Sequence, residues 1–438
     1  MTSSSPLDRA LRVFGDVHPG EGLRVMLLFS NIFVLLIAYY ILKTVREPLI
    51  LAQGGAELRS YAGAAQAALL IGYVPLYSWV ASVLRPQTLI IAVVLFFAAC
   101  IEIFSLAGRA GMPYLGFAFF VWLGIFSLTT IAQFWSFAND LYRREDGERL
   151  FPLIAIGATV GAPLGAAVSE RLFAYGVGIY TLMQAAALLL LVQLGLYQVI
   201  QRRRTPTPTL VREQPQRRTG GGFGLVLRSR YLLLIAMLLV VLNVVTTTGD
   251  YVMTRHVVHA ADLAASIPGF DRDAFIGRFY GGYLFWVSIA AALIQAFVVS
   301  RLVKRFGLAG VLFIHPIVAL GAYGTVAAGA GLSIARWSKT ADSSMDFSAT
   351  NTAKQMLWLP TSREEKYQAK QAVDTFFVRF GDMIAAGVVF AGTQWLLLGP
   401  TGFAISNMIF IGIWLVIATL LLREYRRLSA PRETARAA

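Results

Sequence analysis

Charged and hydroxyl side chains recur along one stretch between Leu332 and Pro360, which is long enough to cross a membrane. At about 100° per residue, six of them fall within an arc of about 80° on one helix face. Each charge at bilayer depth costs about 2.5–3.5 kcal/mol. This face should therefore meet water, partner charges or a charged substrate, which indicates a polar pathway inside a membrane protein. The six residues are Arg336, Lys339, Ser343, Asp346, Thr350 and Lys354.

The end of the first apolar run carries three further charges, Lys43, Arg46 and Glu47, at positions i, i+3 and i+4. This spacing places them on one face, where Lys43 and Glu47 can form an ion pair, which would leave Arg46 free to bind another group. One interpretation is that they mark the membrane interface, to which long charged side chains extend. We favour a charged pathway entrance, because lipid offers Arg46 and Glu47 no partner.

The eleventh apolar run carries Asp374, Arg379 and Asp382, which either pair structurally or line a polar cavity. Cations in apolar runs both early and late in the chain suit a phosphate-bearing anion, since Arg and Lys both bind phosphate. The candidate substrate-binding residues are Lys43, Arg46, Arg336, Lys339, Lys354 and Arg379.

A second set of charges follows the fourth and tenth apolar runs. These segments are either solvated loops of mixed charge or a gate, in which charged networks pair when the protein closes on that side. Acidic residues in the late runs would instead serve proton coupling if they titrate. The candidate coupling and gating residues are Glu47, Asp140, Glu145, Asp146, Asp346, Lys370, Asp374 and Asp382.

The elements that must position these residues are transmembrane helices. The chain has 438 residues, of which 57% are hydrophobic and only 14% charged, and this composition excludes an ordinary soluble domain. Apolar runs long enough for a hydrocarbon core of about 30 Å recur along it. They predict an all-α polytopic membrane protein with twelve transmembrane helices, at 23–45, 60–84, 87–107, 113–138, 150–173, 178–200, 231–252, 275–300, 308–330, 332–358, 371–397 and 403–422.

A Pro-, Gly- and Arg-rich stretch at 201–224 predicts a flexible linker between two six-helix halves. A weak repeat supports the halves, because RREDGERLFP follows span four and SREEKYQAKQ follows span ten. Two parallel six-helix repeats with a midplane site between them are the major facilitator arrangement. The segment SRLVKRFG at 300–307 resembles the basic loop motif of that superfamily. The predicted domains are an N-terminal tail at 1–22, bundles at 23–200 and 231–422, a linker at 201–230 and a C-terminal tail at 423–438.

The net charge of +14 is a topology signal, because Lys and Arg concentrate in alternate loops. The positive-inside rule then places both termini and the linker in the cytoplasm. No signal peptide is predicted, since the first apolar run has full transmembrane length. We expect a monomeric integral protein of the bacterial inner membrane whose partners are the lipid bilayer and a small anion, and not nucleic acid.

Nothing in the sequence favours an enzyme. It contains no GxxxxGK[ST] phosphate loop, so ATP hydrolysis is not expected. The four histidines are not spaced as ligands, and Cys100 is the single cysteine. We therefore expect no metal and no cofactor.

Three segments resemble the ATP/ADP antiporter (nucleotide transporter) family of plastids and obligate intracellular bacteria. They are YILKTVREPLILAQGGAE at 40–57, FWSFANDLYRREDGERLFPLIAIGATVGAPLG at 134–165 and LPTSREEKYQAKQAVDTFFVRFGD at 359–382. The resemblance covers about residues 30–395. It implies a twelve-helix exchanger of nucleotides within the major facilitator superfamily, in which charged residues are essential.

The family's functional positions transfer to this chain residue by residue. Its charged motif in span one falls on Lys43, Arg46 and Glu47, its acidic loop motif on Glu145 and Asp146, and its lysine before span eleven on Lys370. This chain differs from the family at the acidic position of span seven. Threonines follow Asn243 here, and Asp250 is the nearest acidic residue.

The resemblance implies a secondary-active antiporter that binds ATP and ADP, or a related phosphate-bearing metabolite, and works by alternating access. One alternative is a proton-coupled major facilitator carrier of a lipid or organic anion, using Asp346, Asp374 or Asp382. Another is a membrane scaffold that acts through the basic linker.

Overall fold

The computed structural model of the protein is helical and describes residues 6–11, 16–142, 144–203, 222–362, 365 and 369–429. No strand occurs among these residues. The helices are α1 (Pro6–Leu11), α2 (Gly22–Val83), α3 (Pro86–Arg109), α4 (Leu115–Leu141), α5 (Arg144–Ala174), α6 (Ile179–Arg202), α7 (Gly222–Arg228), α8 (Arg230–Ala264), α9 (Arg272–Leu293), α10 (Ser300–Ala327), α11 (Leu332–Met345), α12 (Asn351–Leu357), α13 (Lys370–Ala372), α14 (Val378–Gln394) and α15 (Pro400–Ser429).

Nine candidate membrane spans are found in the described part of the chain, and two of them are much longer than one crossing. One is α2, with 62 residues, and the other is the 56-residue run Arg272–Ala327. Gly55 interrupts right-handed helix geometry in α2 with a φ of 62°, and Gly307 does so in α10 with a φ of 59°. Each run therefore contains two of the predicted spans, divided at a glycine, because only glycine adopts this backbone without strain.

The predicted span at 332–358 is not among the nine candidates, because Arg336, Lys339, Asp342, Asp346 and Lys354 make it too polar. The structure nevertheless forms helix here, through α11, the π-helical segment Asp346–Thr350 and α12. The fold is thus all-helical and membrane-spanning as predicted. The number of twelve crossings stays a prediction, since hydropathy alone gives nine.

α5 packs directly on the backbone of α2 through glycines spaced four residues apart. A Cβ at Gly157 would lie 2.6 Å from the carbonyl oxygen of Phe29, and one at Gly161 would lie 2.6 Å from that of Phe33. A Cβ at Gly165 would lie 2.7 Å from a third α2 carbonyl. Small residues at this spacing let membrane helices approach closely, which compensates for the weak hydrophobic drive between helices in lipid.

The residues group by their contacts into two compact units, each with its own apolar core. The segments on either side of Gly55 fall in different units, so the unit boundary does not follow the predicted halves, and the division into two bundles remains a prediction. The linker positions 204–221, the tail from 430 and Arg143 lie outside the described residues. The first unit contains Met1–Gly54, Gly72–Pro215 and Leu263–Ser288, and the second contains Gly55–Ile71, Gln216–Asp262 and Ile289–Ala438.

Candidate functional site

The charges of span one form a buried pair inside the first unit. The Glu47 side chain is only 2% exposed, and the Arg46 Nε donates a hydrogen bond to its Oε1 at 2.9 Å. The guanidinium carbon of Arg46 lies 4.1 Å from the ring centroid of Phe120, and Lys43 Nζ lies 5.1 Å from that of Tyr40. Both cations thus rest on aromatic faces. The expectation that Arg46 would be left free is wrong, because Arg46 itself forms an ion pair with Glu47.

Lys339 of α11 lies at the centre of a charge network in the second unit. Its Nζ is 2.8 Å from Asp342 Oδ2 and 3.1 Å from Asp250 Oδ1, and it donates to the Thr246 carbonyl at 3.1 Å. The Lys339 side chain is 4% exposed. Two carboxylates and a carbonyl compensate the desolvation of this ammonium group. The geometry therefore gives Lys339 a place in a buried network.

A histidine that the sequence analysis left out completes this network. His315 of α10 and Asp342 of α11 are each 1% exposed, with Nε2 of the imidazole 3.1 Å from Asp342 Oδ1. The other ring nitrogen, Nδ1, lies 2.6 Å from the Thr350 hydroxyl. The Tyr323 hydroxyl donates to Asp342 Oδ2 at 3.4 Å. A histidine in an apolar run was the available signal, but its partners come from α11 and the segment after it, and spacing does not reveal them.

The remaining cations of the predicted stripe have separate environments. Lys354 Nζ lies 3.5 Å from Asp346 Oδ1, with the lysine side chain 29% exposed, and the Arg336 guanidinium lies 5.7 Å from the Trp337 ring centroid. The predicted arc assumes α-helix throughout, whereas Asp346–Thr350 is π-helical. A π segment changes the rotation per residue. The structure therefore shows a polar helix that is not uniformly α-helical, and the continuous charged face stays a prediction.

In span eleven, Asp382 accepts a hydrogen bond from the Thr247 hydroxyl at 3.0 Å and lies 3.4 Å from the Arg379 guanidinium. Asp374 is exposed and belongs to another π-helical segment, Val373–Phe377. Lys370 Nζ donates to Gln355 Oε1 at 2.9 Å. The three charges of this span are thus not one cluster.

The predicted gating charges after span four are mostly at the surface. Asp140 and Glu145 are exposed, while Asp146 lies 3.2 Å from Arg149. The same guanidinium contacts both carboxylate oxygens of Glu21 at 2.7 Å. Burial alone raises the pKa of Glu21, but hydrogen bonds from Arg149 and from a backbone N–H outweigh it and hold that pKa below its ordinary value.

Two charged residues that the sequence analysis missed hold the segment after Gly55 to α8 within the second unit. Glu57 Oε1 accepts hydrogen bonds from Arg255 Nη1 at 2.7 Å and from the Tyr251 hydroxyl at 2.9 Å. Arg59 lies 3.7 Å from Asp250, which connects this segment to Lys339. Glu57 and Arg59 precede the predicted start of span two at 60, so hydropathy assigned them to a loop. No group of metal-ligating side chains occurs in the part of the chain that the structure describes.

Comparisons with known proteins agree on a carrier. The family model of the TLC ATP/ADP transporter matches residues 119–328. ADP,ATP carrier protein 1 of Chlamydia muridarum is 21% identical, over 99% of this chain and 94% of that one. The protein of the same name from Chlamydia pneumoniae is 22% identical over 69% of this chain and 65% of its own length. The match thus spans just under two thirds of that relative's length, and 63% of the Chlamydia trachomatis carrier.

Solved transporters share the fold. A POT family transporter in complex with 5-aminolevulinic acid superposes with a TM-score of 0.66 at 13% identity, covering 93% of this chain and 97% of that one. The nucleoside transporter NupG superposes with a TM-score of 0.62 at 12% identity, covering 92% and 99%. These structures are of the major facilitator type. The family describes transporters, in agreement with the prediction that the chain is not an enzyme. The chain is thus similar to the ATP/ADP transporter family over residues 119–328 and has a fold of the major facilitator type.

Proposed function

We propose that the protein is a secondary-active antiporter that exchanges ATP and ADP, or a related phosphate-bearing metabolite, by alternating access. The observation that carries this proposal is the similarity to ADP,ATP carrier protein 1 of Chlamydia muridarum along almost the whole chain. The charged pairs within its apolar helices support it, because each of them places a cation where lipid alone would not tolerate one.

The cation–carboxylate pairs suggest how phosphate is bound. Arg46, Lys354 and Arg379 each have a carboxylate partner in the described structure. An incoming phosphate offers the same cation a second set of anionic oxygens, and an arginine fork binds them with two parallel hydrogen bonds. We assign direct phosphate contacts to these three residues together with Lys43 and Arg336. Lys339, which its carboxylates enclose, holds the network in place.

The acidic residues and Lys370 are assigned to coupling and gating. Glu47, Asp346 and Asp382 each pair with a cation. When these cations bind phosphate, they leave the three carboxylates. The exposed Asp140, Glu145 and Asp374, together with Asp146 and Lys370, are placed to form and break ion pairs as the carrier changes conformation.

The setting follows from the membrane fold and the basic loops. We place the protein in the bacterial inner membrane as a monomer with both termini in the cytoplasm, in contact with lipid and without a cofactor. The alternating basic loops support this orientation through the positive-inside rule.

Uptake into liposomes tests the function. Labelled ATP is added to vesicles that contain the purified protein, with or without ADP inside. Uptake that requires internal ADP is the expected result. Uptake of another anion that follows the proton gradient and ignores internal nucleotide would instead favour the proton-coupled carrier of a lipid or organic anion. Absence of any nucleotide uptake by folded protein would overturn the proposal.

A further inference from the structure

The network around Lys339 contains a buried titratable group that nucleotide binding does not use. We propose that His315 and Asp342 form a proton-binding site in the second unit. We further propose, resting on the proposed function, that binding of this proton and binding of the anionic substrate favour each other. The site is built from α10 and α11, with both side chains 1% exposed and their polar atoms 3.1 Å apart. Histidine is the side chain whose charge changes between about pH 5 and pH 8.

The hydrogen bonds determine where the proton goes. An ionised Asp342 can only accept, so His315 Nε2 carries a hydrogen and donates it to Oδ1. Nδ1 of the neutral ring then accepts a hydrogen bond from the Thr350 hydroxyl, 2.6 Å away. A second proton binds at Nδ1, and the Thr350 hydroxyl rotates to accept it. No other atom needs to move for the imidazolium to be hydrogen-bonded at both nitrogens.

Charge balance links this proton to an anion. With a neutral imidazole, the network of Asp342, Lys339, Asp250 and Arg59 contains two carboxylates and two cations. A proton on His315 adds one positive charge to this buried network. A buried net charge is costly unless an opposite charge compensates it. An anionic substrate within the same protein provides that compensation, so proton and substrate favour each other's binding.

The groups around His315 do not provide that anion themselves. Asp346 is paired with Lys354. Asp382, which is near Asp250, is paired with Arg379. The carboxylates of Asp346 and Asp382 are therefore already neutralised by cations. The Trp414 ring, 4.9 Å from the imidazole, is uncharged. The charged and titratable groups that contact the pair are Tyr323 on α10 and Lys339 on α11. Asp250 on α8 and Arg59 on α2 are connected to it through Lys339, and Asp346 follows α11 in sequence.

The same contacts give the proton a mechanical consequence. A charged His315 competes with Lys339 for Asp342, and Lys339 then turns toward Asp250, 3.1 Å away. Asp250 is also the partner of Arg59, at 3.7 Å, on the segment that follows Gly55. Protonation therefore weakens the Arg59–Asp250 contact, while Glu57 still holds this segment to α8 through Arg255 and Tyr251.

A titration independent of transport tests the proton site first. The imidazole signals of isotopically labelled protein are followed by NMR in detergent, and His315 is assigned from the signal missing in His315→Gln or, if that variant does not fold, His315→Asn. We expect the His315 signal to show a second proton binding at the ring within the pH range over which the protein stays folded. A His315 ring that keeps one protonation state across this range overturns the proposal, whatever the substrate is. Should neither variant fold, the His315 signal is assigned by elimination from the variants His18→Gln, His256→Gln and His259→Gln.

Exchange assays test the link to substrate. We expect the apparent affinity of the wild-type protein for ATP to rise about tenfold as the pH falls through this range, and the affinity of His315→Gln to stay constant. The matched control is His259→Gln, an exposed histidine on α8, which should keep the wild-type profile. Titration of the nucleotide affects all three proteins equally. A His315→Gln profile equal to that of the wild type would refute the link, whereas absence of exchange in the wild type would refute only the proposed function.

Discussion

At the scale of single residues, the Arg46–Glu47 pair combines a structural and a functional role that mutation can separate. Arg46→Gln removes the guanidinium that hydrogen-bonds the Glu47 carboxylate, whose side chain is 2% exposed. Breaking a buried pair in this way costs about 3–5 kcal/mol, whereas removing both charges is often nearly neutral. We therefore expect Arg46→Gln to lower the melting temperature in detergent and to abolish uptake.

The double variant Arg46→Gln/Glu47→Gln distinguishes the two roles. It should recover most of the stability, since both charges of the pair are removed, yet still fail to transport because the contact of Arg46 with the phosphate is lost. Nucleotide uptake at the wild-type rate in the double variant would show that Arg46 serves only to neutralise Glu47.

Lys339 and Lys354 allow a comparison of two lysines from one predicted stripe. Lys339→Gln leaves Asp342 and Asp250 facing each other without their shared cation, so we expect a loss of about 3–5 kcal/mol in stability. Lys354→Gln removes a partly exposed pair, which costs about 0.2–1 kcal/mol, and its main effect should be a weaker apparent affinity for nucleotide. Thermal unfolding and uptake are measured on both variants. Equal losses of stability would contradict this division.

The sequence allowed the types of the charged residues to be recognised, but not their partners. A charge in an apolar run is visible from hydropathy, which is why Arg46, Lys339 and Asp382 were identified. Some of their partners come from helices distant in sequence, as Asp250 does for Lys339 and Thr247 for Asp382, and the contact between His315 and Asp342 is of the same kind. His315 looked unremarkable because one neutral histidine adds little polarity to an apolar run.

At the scale of helices, the glycines of α5 set the distance to α2. Gly161→Ala would place a Cβ 2.6 Å from the Phe33 carbonyl oxygen, and a backbone atom cannot yield as a side chain does. Such overpacking costs about 1–3 kcal/mol. We expect a lower melting temperature in detergent. Gly195→Ala on α6 is the matched control, because its Cβ meets nothing within 4 Å and it should be neutral or slightly stabilising.

Helix boundaries show what a hydropathy pattern misses. The turns at Gly55 and Gly307 fall where the pattern placed interruptions between apolar runs, because the polar residues around them end each run. The π-helical segments Asp346–Thr350 and Val373–Phe377 left no such trace. A π turn arises when packing makes one extra residue favourable, and a periodicity of 3.6 assumes that this does not happen. The charged face predicted along 336–354 assumed this periodicity throughout, and it stays a prediction.

At the scale of the whole molecule, the fold class followed from composition, whereas the family required particular motifs. Repeated apolar runs and a central basic stretch already implied a polytopic carrier with two halves. The segments at 40–57, 134–165 and 359–382 then restricted the substrate class. The proton site could not be predicted in this way, because it depends on α10, α11 and α8 meeting in space.

The proton site makes a prediction about the charge moved in each transport cycle. ATP carries one more negative charge than ADP, so simple exchange moves a net charge, and about 100 mV across the membrane then changes the equilibrium ratio of ATP by about 50-fold. If ATP moves with the proton of His315 and ADP moves without it, that charge is cancelled. We therefore expect the ATP ratio in wild-type vesicles to ignore an imposed potassium diffusion potential and to follow a proton gradient instead.

His315→Gln should show the reverse, because it has lost the group that binds the proton while the cations that bind phosphate remain. The ratio is measured by isotope distribution at equilibrium, with His259→Gln as the control that should match the wild type. A wild-type ratio that follows the electrical potential and ignores the proton gradient would mean that the buried imidazole does not travel with a proton. The network around Lys339 would then be purely structural.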